Sequence, residues 1–346
     1  MCTTLACMSC DSLDATLPTT GYSAFGSTEP VYDPGGERIR WFCPWQIAEM
    51  GALERALDTV ADLAGTVCAS RITFRVVSSG ELSPDIIEVL TDRGFQIEAR
   101  MAFSDANGRV ITYLAQCHPE RKSAQGDVRS EQALLGAIMA RPRKGPATIL
   151  REFSLLDEFR VEMIGPDSLS PSDTDRLIAL HRETFPTFPY DFASKLALML
   201  RAPNCYLMCL VRSLKNGKIY AFSNLEINTV TLEDGPQLRL AEYDNSMRVA
   251  TCPDHGEVKG LGAILRLQLA SLASRLDVDL CHAESRAALA AINGNSYHLG
   301  MHFGGTLEKH LLISGQHDIS YQAPSRFESM NVWYLNRAQL ATLEMR

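Results

Sequence analysis

One stretch of the sequence restricts the fold more than any other: an alternating strand, a glycine-containing loop and an apolar-periodic helix in direct succession. The pattern predicts the strand over residues 238–251, the loop over 253–262 and the helix over about 263–276. A helix that begins directly after such a loop presents free backbone N–H groups and the positive end of its dipole to an anion. The stretch therefore predicts an α/β chain with a phosphate-binding site.

The glycines of this loop narrow the choice of anion. They are Gly256, Gly260 and Gly262. The segment lacks the third glycine of a dinucleotide-binding fingerprint, and it lacks the Gly-Lys-Ser/Thr ending of a P-loop. Both nucleotide-binding interpretations are therefore disfavoured.

Composition excludes two broad classes of partner. The 346 residues suggest about two domains at roughly 150 residues each. The net charge is −8 and no segment is dense in Lys and Arg, so we expect no nucleic-acid partner. The longest apolar runs fall far short of the roughly 20 residues that cross a bilayer, so we expect no membrane span. The first residues have no basic start or apolar stretch of a secretory signal, which predicts a cytoplasmic protein.

Periodicity and turn residues divide the chain into four parts. Residues 1–35 are predicted to be a flexible extension, 36–122 a small α/β domain, 123–150 a helix and linker, and 151–346 a second domain that contains the glycine loop. In the extension, Cys2, Cys7 and Cys10 echo one iron–sulfur spacing, but no second pair at metal-site spacing follows. We therefore expect free thiols and no metal.

Two segments of the chain echo each other. In the first domain a strand and a helix lead to Arg93-Gly94-Phe95 and a hairpin that turns at Asn107-Gly108. In the second domain a strand and a helix lead to Leu299-Gly300-Met301 and another hairpin. A Ser172/Asp175 capping box is predicted to begin the first helix of the second domain.

Several motifs together resemble a known family. The sequence VATCP at 249–253, followed by Gly260-Leu261-Gly262 at the start of a helix, resembles motif A of the GNAT acetyltransferase superfamily. The segment NGNSYHLGM at 293–301 is similar to the helix and turn that come later in that family. More narrowly, HRETFPTFPY at 181–190, ISG at 313–315 and SMNVWY at 329–334 resemble the beta-lysine N-acetyltransferase branch. The match covers about residues 36–340.

The resemblance implies a fold, a cosubstrate and a set of binding residues. The fold is a GNAT fold with a mixed central sheet flanked by helices, preceded by a smaller, degenerate GNAT-like α/β domain. The cosubstrate is acetyl-coenzyme A, and in this family the long strand splays from its neighbour to receive it. The residues implied to bind it are Val249, Ala250, Thr251, Gly256, Glu257, Val258, Lys259, Gly260, Leu261, Gly262, Asn293 and Ser296.

Direct acetyl transfer needs a base for the amine proton and a proton for the leaving thiolate. Glu242, on the long strand, is the first candidate for the base, with Asp244 on the same strand face as the second. Tyr297 is the candidate acid, and Tyr190, Asp191 and Glu226 are candidates for binding a cationic substrate. Each of these side chains also has a structural interpretation, as part of a surface ion pair, a packed helix or a proline-pinned loop.

Two departures from the family pattern leave alternatives open. Glu257 stands where Arg or Gln is usual in the coenzyme loop, and Ser296 stands where many GNATs place a tyrosine acid. The expected function is acetyl-coenzyme A dependent N-acetylation of a small amine, such as the side-chain amine of beta-lysine, with a homodimer as a possible assembly. The alternatives are acetylation of another biosynthetic amine, or a GNAT-like binding or regulatory protein that has lost turnover.

Overall fold

A computed structural model gives the fold of the chain. It describes residues 30–33, 36–43, 50–123, 128–165, 167–185, 191–232, 237–249, 259–312 and 327–343. Residues 1–29 of the predicted extension, with Cys2, Cys7 and Cys10, lie outside these ranges, as do Tyr190 and residues 250–258 of the glycine loop. Residues 31–33, which were also expected to be flexible, form a short strand at the edge of the sheet. Within them, no helix combines the length and the apolar character that crossing a membrane requires.

The described elements are twelve strands and ten helices. The strands are β1 Val31–Asp33, β2 Arg38–Cys43, β3 Arg71–Ser79, β4 Gln96–Ala102, β5 Arg109–Cys117, β6 Phe159–Ile164, β7 Tyr206–Ser213, β8 Ile219–Thr231, β9 Gln237–Arg248, β10 Leu280–Arg286, β11 His302–Leu312 and β12 Phe327–Asn336. The helices are α1 Met50–Thr66, α2 Pro84–Asp92, α3 Pro119–Ser123, α4 Val128–Met139, α5 Gly145–Ser154, α6 Pro171–Thr184, α7 Phe192–Arg201, α8 Leu261–Arg275, α9 Ala290–Leu299 and α10 Arg337–Ala341.

The twelve described strands form one mixed sheet. Their order is β1-β2-β3-β5-β4-β11-β12-β10-β9-β8-β7-β6. Within it, β2 pairs with β3 and β9 with β10 in parallel, as expected where a helix connects two strands. The other described pairs are antiparallel. The predicted mixed α/β class, with a central sheet flanked by helices, is confirmed.

The sheet contains the same arrangement twice. The succession β2-α1-β3-α2-β4-β5 and the succession β9-α8-β10-α9-β11-β12 have the same element types, and each gives the same order of pairing across the sheet. The two copies meet edge to edge at β4 and β11, so the central eight strands read alike from either end. The internal echo in the sequence thus corresponds to a repeated topology, while the domain boundaries stay a prediction.

The meeting point of the copies is a close approach of two backbones. Gly305 of β11 pairs with Ala99 of β4, and aligning Gly94 with Gly300 makes these two residues equivalent positions of the two copies. A Cβ atom at Gly305 would lie 2.1 Å from the carbonyl oxygen of Glu98, and one at Gly304 would lie 2.6 Å from that of Arg100. The β4–β11 seam therefore requires two glycines.

Apolar clusters cover both faces of the sheet. Helices α4, α5, α8 and α9 pack on one face of the second half, around Tyr243 and Trp333. On the opposite face, α6 and α7 pack around Phe222. Beside them, on that same face, residues of β8 to β12 pack with residues of β2 to β5, including Leu240 and Tyr113. The first half of the sheet thus folds over the second, and β9 residues of even number up to Glu242 face the space between them.

The segment 123–150 differs from its expected form. It contributes α4 and the start of α5, and their Ile138 and Ile149 are buried against α8 and α9. The apolar residues on one face of each helix account for this packing. The two helices are therefore part of the layer that supports α8, and the exposed residues 140–144 link them.

Candidate active site

A splay between two parallel strands forms the centre of the site. The pairing of β9 with β10 runs from Leu240–Leu280 to Tyr243–Ala283 and stops there, although both strands continue. Beyond that point β9 follows β8 to Arg248, and β10 follows β12 to Arg286. Among the described residues, no strand pairs with β9 on this side beyond Tyr243. Beyond Tyr243 the backbone of β9 is therefore no longer paired with β10.

A β-bulge explains why the strands part at this point. Ser223 of β8 pairs with Ser246, and Leu225 pairs with Tyr243, so Asp244 and Asn245 together face the single residue between them. A bulge bends its strand and increases the twist, and bulges commonly re-aim side chains beside active sites. The extra residue interrupts the simple alternation from which Glu242 and Asp244 were expected to share a face. Both nevertheless interact with Glu226, since the charge of Asp244 raises the pKa of Glu226 and the charge of Glu226 raises the pKa of Glu242.

The coenzyme side of the opening is the start of α8. Gly260 caps the helix with a left-handed backbone, φ 88°, and the first N–H groups of α8 point away from the helix. A Cβ atom at Gly262 would lie 2.7 Å from Asn295 Nδ2, so α8 and α9 approach closely at this turn. Lys259 and Leu261 flank the cap. On the other side of the loop, Val249 directly follows β9, and its N–H donates to Tyr220 O at 2.9 Å. These residues suit the phosphate groups of a coenzyme; Ala250, Thr251, Gly256, Glu257 and Val258 lie outside the described ranges.

Glu242 lies at the inner end of the splay, partly buried, among charged groups of both halves of the sheet. It faces Glu226 directly across β8–β9 and His282 directly across β9–β10. Burial and, next, the charge of Glu284 raise the pKa of Glu242, against the opposing effect of Arg75, to about 8. A carboxylate with a pKa near neutrality is suited to accept a proton from an amine.

Glu284 is the ionised partner of Glu242. Burial raises its pKa, but His310 and Arg75 outweigh that effect and hold the pKa well below the usual range. The imidazole Nε2 of His310 lies 3.2 Å from Glu284 Oε2, and the guanidinium of Arg38 contacts the same ring. Glu284 thus stays ionised, while Glu242 has a pKa at which it can exchange a proton near neutral pH.

The first half of the sheet supplies part of this cluster, which sequence reasoning missed. Arg75 of β3 lies 5.8 Å from the centre of the Phe42 ring and 5.6 Å from that of Tyr113. Its charge acts on the pKa of Glu242, Glu284 and His282. Burial raises the pKa of the Tyr113 hydroxyl well above its usual value, so it stays protonated. The first half of the sheet therefore covers this side of the site.

The same cluster has the spacing of a metal site. One ligand atom each from Glu242, His282 and Glu284 lies within 4.8 Å of the others. However, Arg75 already places a positive charge there, which disfavours a second cation. Burial lowers the pKa of His282 to about 4, so its ring is neutral and adds no charge to the cluster. A shared proton between the two carboxylates satisfies the charge balance without a cation. We therefore treat the three groups as a proton-sharing cluster.

Glu226 is buried and has an ammonium partner within the protein. Lys195 Nζ of α7 lies 2.7 Å from Glu226 Oε2 and 3.7 Å from Asp244 Oδ2. The two carboxylates raise the pKa of Lys195 despite its burial, so it stays charged. The Lys195 ammonium thus pairs with the Glu226 carboxylate, which was expected to bind a cationic substrate.

Removing the Lys195 ammonium should destabilise the folded protein. Lys195→Met is expected to lower the free energy of unfolding by about 3 kcal/mol or more, because Glu226 would remain buried without its counter-charge. The double variant Lys195→Met/Glu226→Gln should recover most of the loss, since no charge is then stranded. Urea denaturation of both variants checks this, and equal losses in the single and double variants would contradict it.

Asp191 caps α7. Its Oδ2 accepts from the Ser194 N–H at 2.9 Å and from the Ser194 hydroxyl at 2.7 Å. These hydrogen bonds lower the pKa of Asp191. The exposed carboxylate, predicted to bind substrate, is therefore committed to the helix N-terminus.

The α9 residues lie on the opposite face of the sheet from Glu242. The side-chain amide of Asn293 donates to the carbonyls of Arg286 and Leu289 at 2.8 Å each, and its oxygen accepts from Asn331 and Trp333 at 3.0 and 2.9 Å. These four bonds use the hydrogen-bonding capacity of the amide. Any contact of Asn293 with a coenzyme must therefore come from its backbone.

Tyr297 and Ser296 also have partners inside the protein. The Tyr297 hydroxyl lies 2.9 Å from the carbonyl oxygens of both Met139 and Arg141, where it ties α9 to the end of α4. The Ser296 hydroxyl accepts from Arg266 and donates to Ile292 O. Tyr297, the candidate acid, is thus directed at the helix layer and away from the Glu242 cluster.

Comparisons with known proteins give the following. No protein-family model matches the chain, and no curated protein sequence matches it. Among solved structures, the spermidine N-acetyltransferase from Vibrio cholerae in complex with CoA and spermine has 15% identity, covers 54% of this chain and 99% of its own, and gives a TM-score of 0.39. The ribosomal-protein-S18-alanine N-acetyltransferase from Escherichia coli has 19% identity, covers 51% and 93%, and gives 0.35. Likenesses at this level carry no argument about function, which has to come from the site itself.

Proposed function

We propose that the chain is an acetyl-coenzyme A dependent N-acetyltransferase of a small amine, built on a GNAT fold. The observation that carries the proposal is the bulged splay of β9 from β10, which lies between the N-terminus of α8 and the carboxylate of Glu242. The splay is the feature that the sequence resemblance led us to expect. It brings an anion-binding turn and a proton acceptor to the two ends of one opening.

Each part of the opening has a chemical role in this proposal. The α8 N–H groups, with Gly260, Gly262 and Lys259, bind the coenzyme phosphates, and the unpaired edge of β9 binds its extended arm. Acetyl-coenzyme A supplies an acetyl group as a thioester. Glu242 accepts the proton that the amine loses as its nitrogen bonds to the acetyl carbon, while the carbon–sulfur bond breaks.

The charges around the site favour a cationic acceptor. Glu242 and Asp244 line the inner side of the splay, and Glu284 adds a third carboxylate behind them. Lys195 and Arg75 offset part of this charge, so groups of both signs surround Glu242, and this suits a molecule with both ammonium and carboxylate groups. A diamino acid such as beta-lysine fits that description, and the sequence resemblance favours it over other amines.

Binding and turnover should be tested separately. Calorimetry of the full chain with acetyl-coenzyme A tests the coenzyme site, and the absence of binding up to millimolar concentration would overturn the proposal. Thiol release with a panel of beta-lysine, lysine, ornithine and spermidine tests the acceptor. Turnover of another amine with beta-lysine inert would leave the reaction class standing and replace the substrate; binding without turnover of any amine would favour the regulatory alternative.

The rate should depend on pH through Glu242. Since its pKa is raised to about 8 and the carboxylate must be ionised to act, kcat is expected to rise with pH and to level off above about pH 8. Glu284→Gln removes a neighbouring negative charge and should move this limb to lower pH. Arg75→Met removes a positive charge and should move it to higher pH. Profiles of kcat at saturating amine check the two directions, and shifts of the same sign would contradict the arrangement.

A further inference from the structure

Arg266 of α8 is a buried cation whose partners are neutral. Its side chain is 2% exposed. One guanidinium nitrogen donates to the Ser296 hydroxyl and another to that of Ser285 at 3.4 Å, while Nε has no hydrogen-bond partner among the described residues. The guanidinium also lies 4.9 Å from the centre of the Tyr243 ring.

Other buried cations of the described chain have stronger partners. Lys195 pairs with Glu226, Arg286 with Glu328, and Arg38 with Asp33. Arg121 has no carboxylate partner, but it donates to several backbone carbonyl oxygens, including those of Lys309 and His310. Of the five cations compared, Arg266 is the one whose hydrogen-bond acceptors are all hydroxyl groups.

Burying a charge without a counter-charge is costly, and natural chains keep such groups mainly where something else uses them. Burial lowers the pKa of Arg266 to about 10, which still leaves it charged at neutral pH. The charge is therefore present in the free protein and lacks an anion. A bound ligand is the natural source of that anion.

The position of Arg266 identifies which part of a ligand it would meet. Ser285 lies two residues beyond Ala283, where β9 and β10 part, and Tyr243 is the last paired residue of β9. The Tyr243 hydroxyl donates to the backbone oxygen of Arg266 at 2.6 Å, which fixes α8 against the splay. The guanidinium thus lies at the inner end of the opening, on the helix side, across the sheet from Glu242.

We propose that Arg266 is the counter-cation of the coenzyme sulfur and holds the thiolate that leaves when the acetyl group is transferred. The inference rests on the proposed function and adds a residue to it. In the step, the amine nitrogen bonds to the acetyl carbon, the electron pair of the carbon–sulfur bond passes to sulfur, and the amine proton passes to Glu242. Arg266 keeps its proton and stabilises the sulfur anion by charge, so no tyrosine acid is required at Ser296.

The test measures the ionisation of the coenzyme A thiol on the protein. Free coenzyme A is bound to the full chain, and the thiolate is followed by ultraviolet absorbance as pH is raised. A cation beside the sulfur lowers the thiol pKa, so at a fixed pH below it the thiolate-to-thiol ratio should be about tenfold or more above that of free coenzyme A. Arg266→Met should abolish most of this increase, and Arg266→Lys should keep part of it.

Controls separate this role from a structural one. Arg100→Met, at a partly exposed arginine of β4, should leave the thiol ionisation unchanged. Thermal melting shows whether Arg266→Met folds; Met fills a similar volume without the charge. Coenzyme A bound with the same thiol ionisation in wild type and Arg266→Met would overturn the Arg266 role alone. If the wild-type chain binds no coenzyme A, the proposed function falls and the Arg266 role falls with it.

Discussion

Glu242→Gln is expected to lower kcat about 100-fold or more while acetyl-coenzyme A binds as before. Glutamine keeps the size of the side chain and removes only the ability to take a proton. The coenzyme groups contact α8 and the edge of β9 in our proposal, so their affinity should not depend on this carboxylate. Steady-state rates and calorimetry on the same preparation check both halves of the expectation.

The pH dependence makes this result specific. The rising limb near pH 8 should disappear in Glu242→Gln, because the group that produces it is gone. Glu81→Gln is a matched control, since Glu81 is exposed in the first half of the chain and contacts only Arg100 at 3.5 Å among described side chains. A near-normal rate in Glu242→Gln would transfer the role of base to Asp244 or to water.

The second large effect is expected at the seam between the copies. Gly305→Val should lower the free energy of unfolding by at least about 4 kcal/mol, at the upper end of single substitutions. Its Cβ would lie 2.1 Å from Glu98 O and 2.7 Å from Ala99 Cα, both backbone atoms of β4 that cannot rotate away. The backbone φ of 144° adds strain for any side chain.

Substitution of a second glycine distinguishes the effect of a steric clash from the effect of backbone strain. Gly217 also has a positive φ, 69°, but a Cβ there meets nothing within 4 Å. Gly217→Ala should therefore cost only about 1–2 kcal/mol, the ordinary penalty of a left-handed residue. Urea denaturation of both variants gives the comparison. Equal losses at the two positions would contradict the role of close backbone approach at the seam.

Local patterns predicted the elements well. The helix expected at about 263–276 is α8, Leu261–Arg275, and the long strand before it is β9. The capping box expected at Ser172 and Asp175 lies two residues earlier, at Ser170 and Asp173, because Pro171 is favoured at the first helical position. Spacing and capping are local properties, so the sequence carries them directly.

The site was harder to predict because its geometry is not local. Glu242 was identified from its strand, but Arg75, Glu284 and His310 come from three other strands that only the completed sheet brings together. The bulge at Asp244 and Asn245 depends on the pairing with β8 and has no signal in β9 alone. Likewise, the satisfied amide of Asn293 and the carbonyl partners of Tyr297 depend on contacts from β12 and α4. The sequence does carry a sign of Arg266, which is the one polar residue of the otherwise apolar stretch Leu261–Leu267 at the start of α8.

The repeated topology determines which residues of the two copies occupy equivalent positions. Following the pairings outward from Ala99 and Gly305, Tyr113 corresponds to Val332, and Arg75 corresponds to Glu284. Equivalent positions of the two copies thus carry opposite charges, and those charges act on each other across the interior. Two identical copies would bring like charges together at this point. Because both copies are joined in one polypeptide, every arginine-bearing copy meets a glutamate-bearing one.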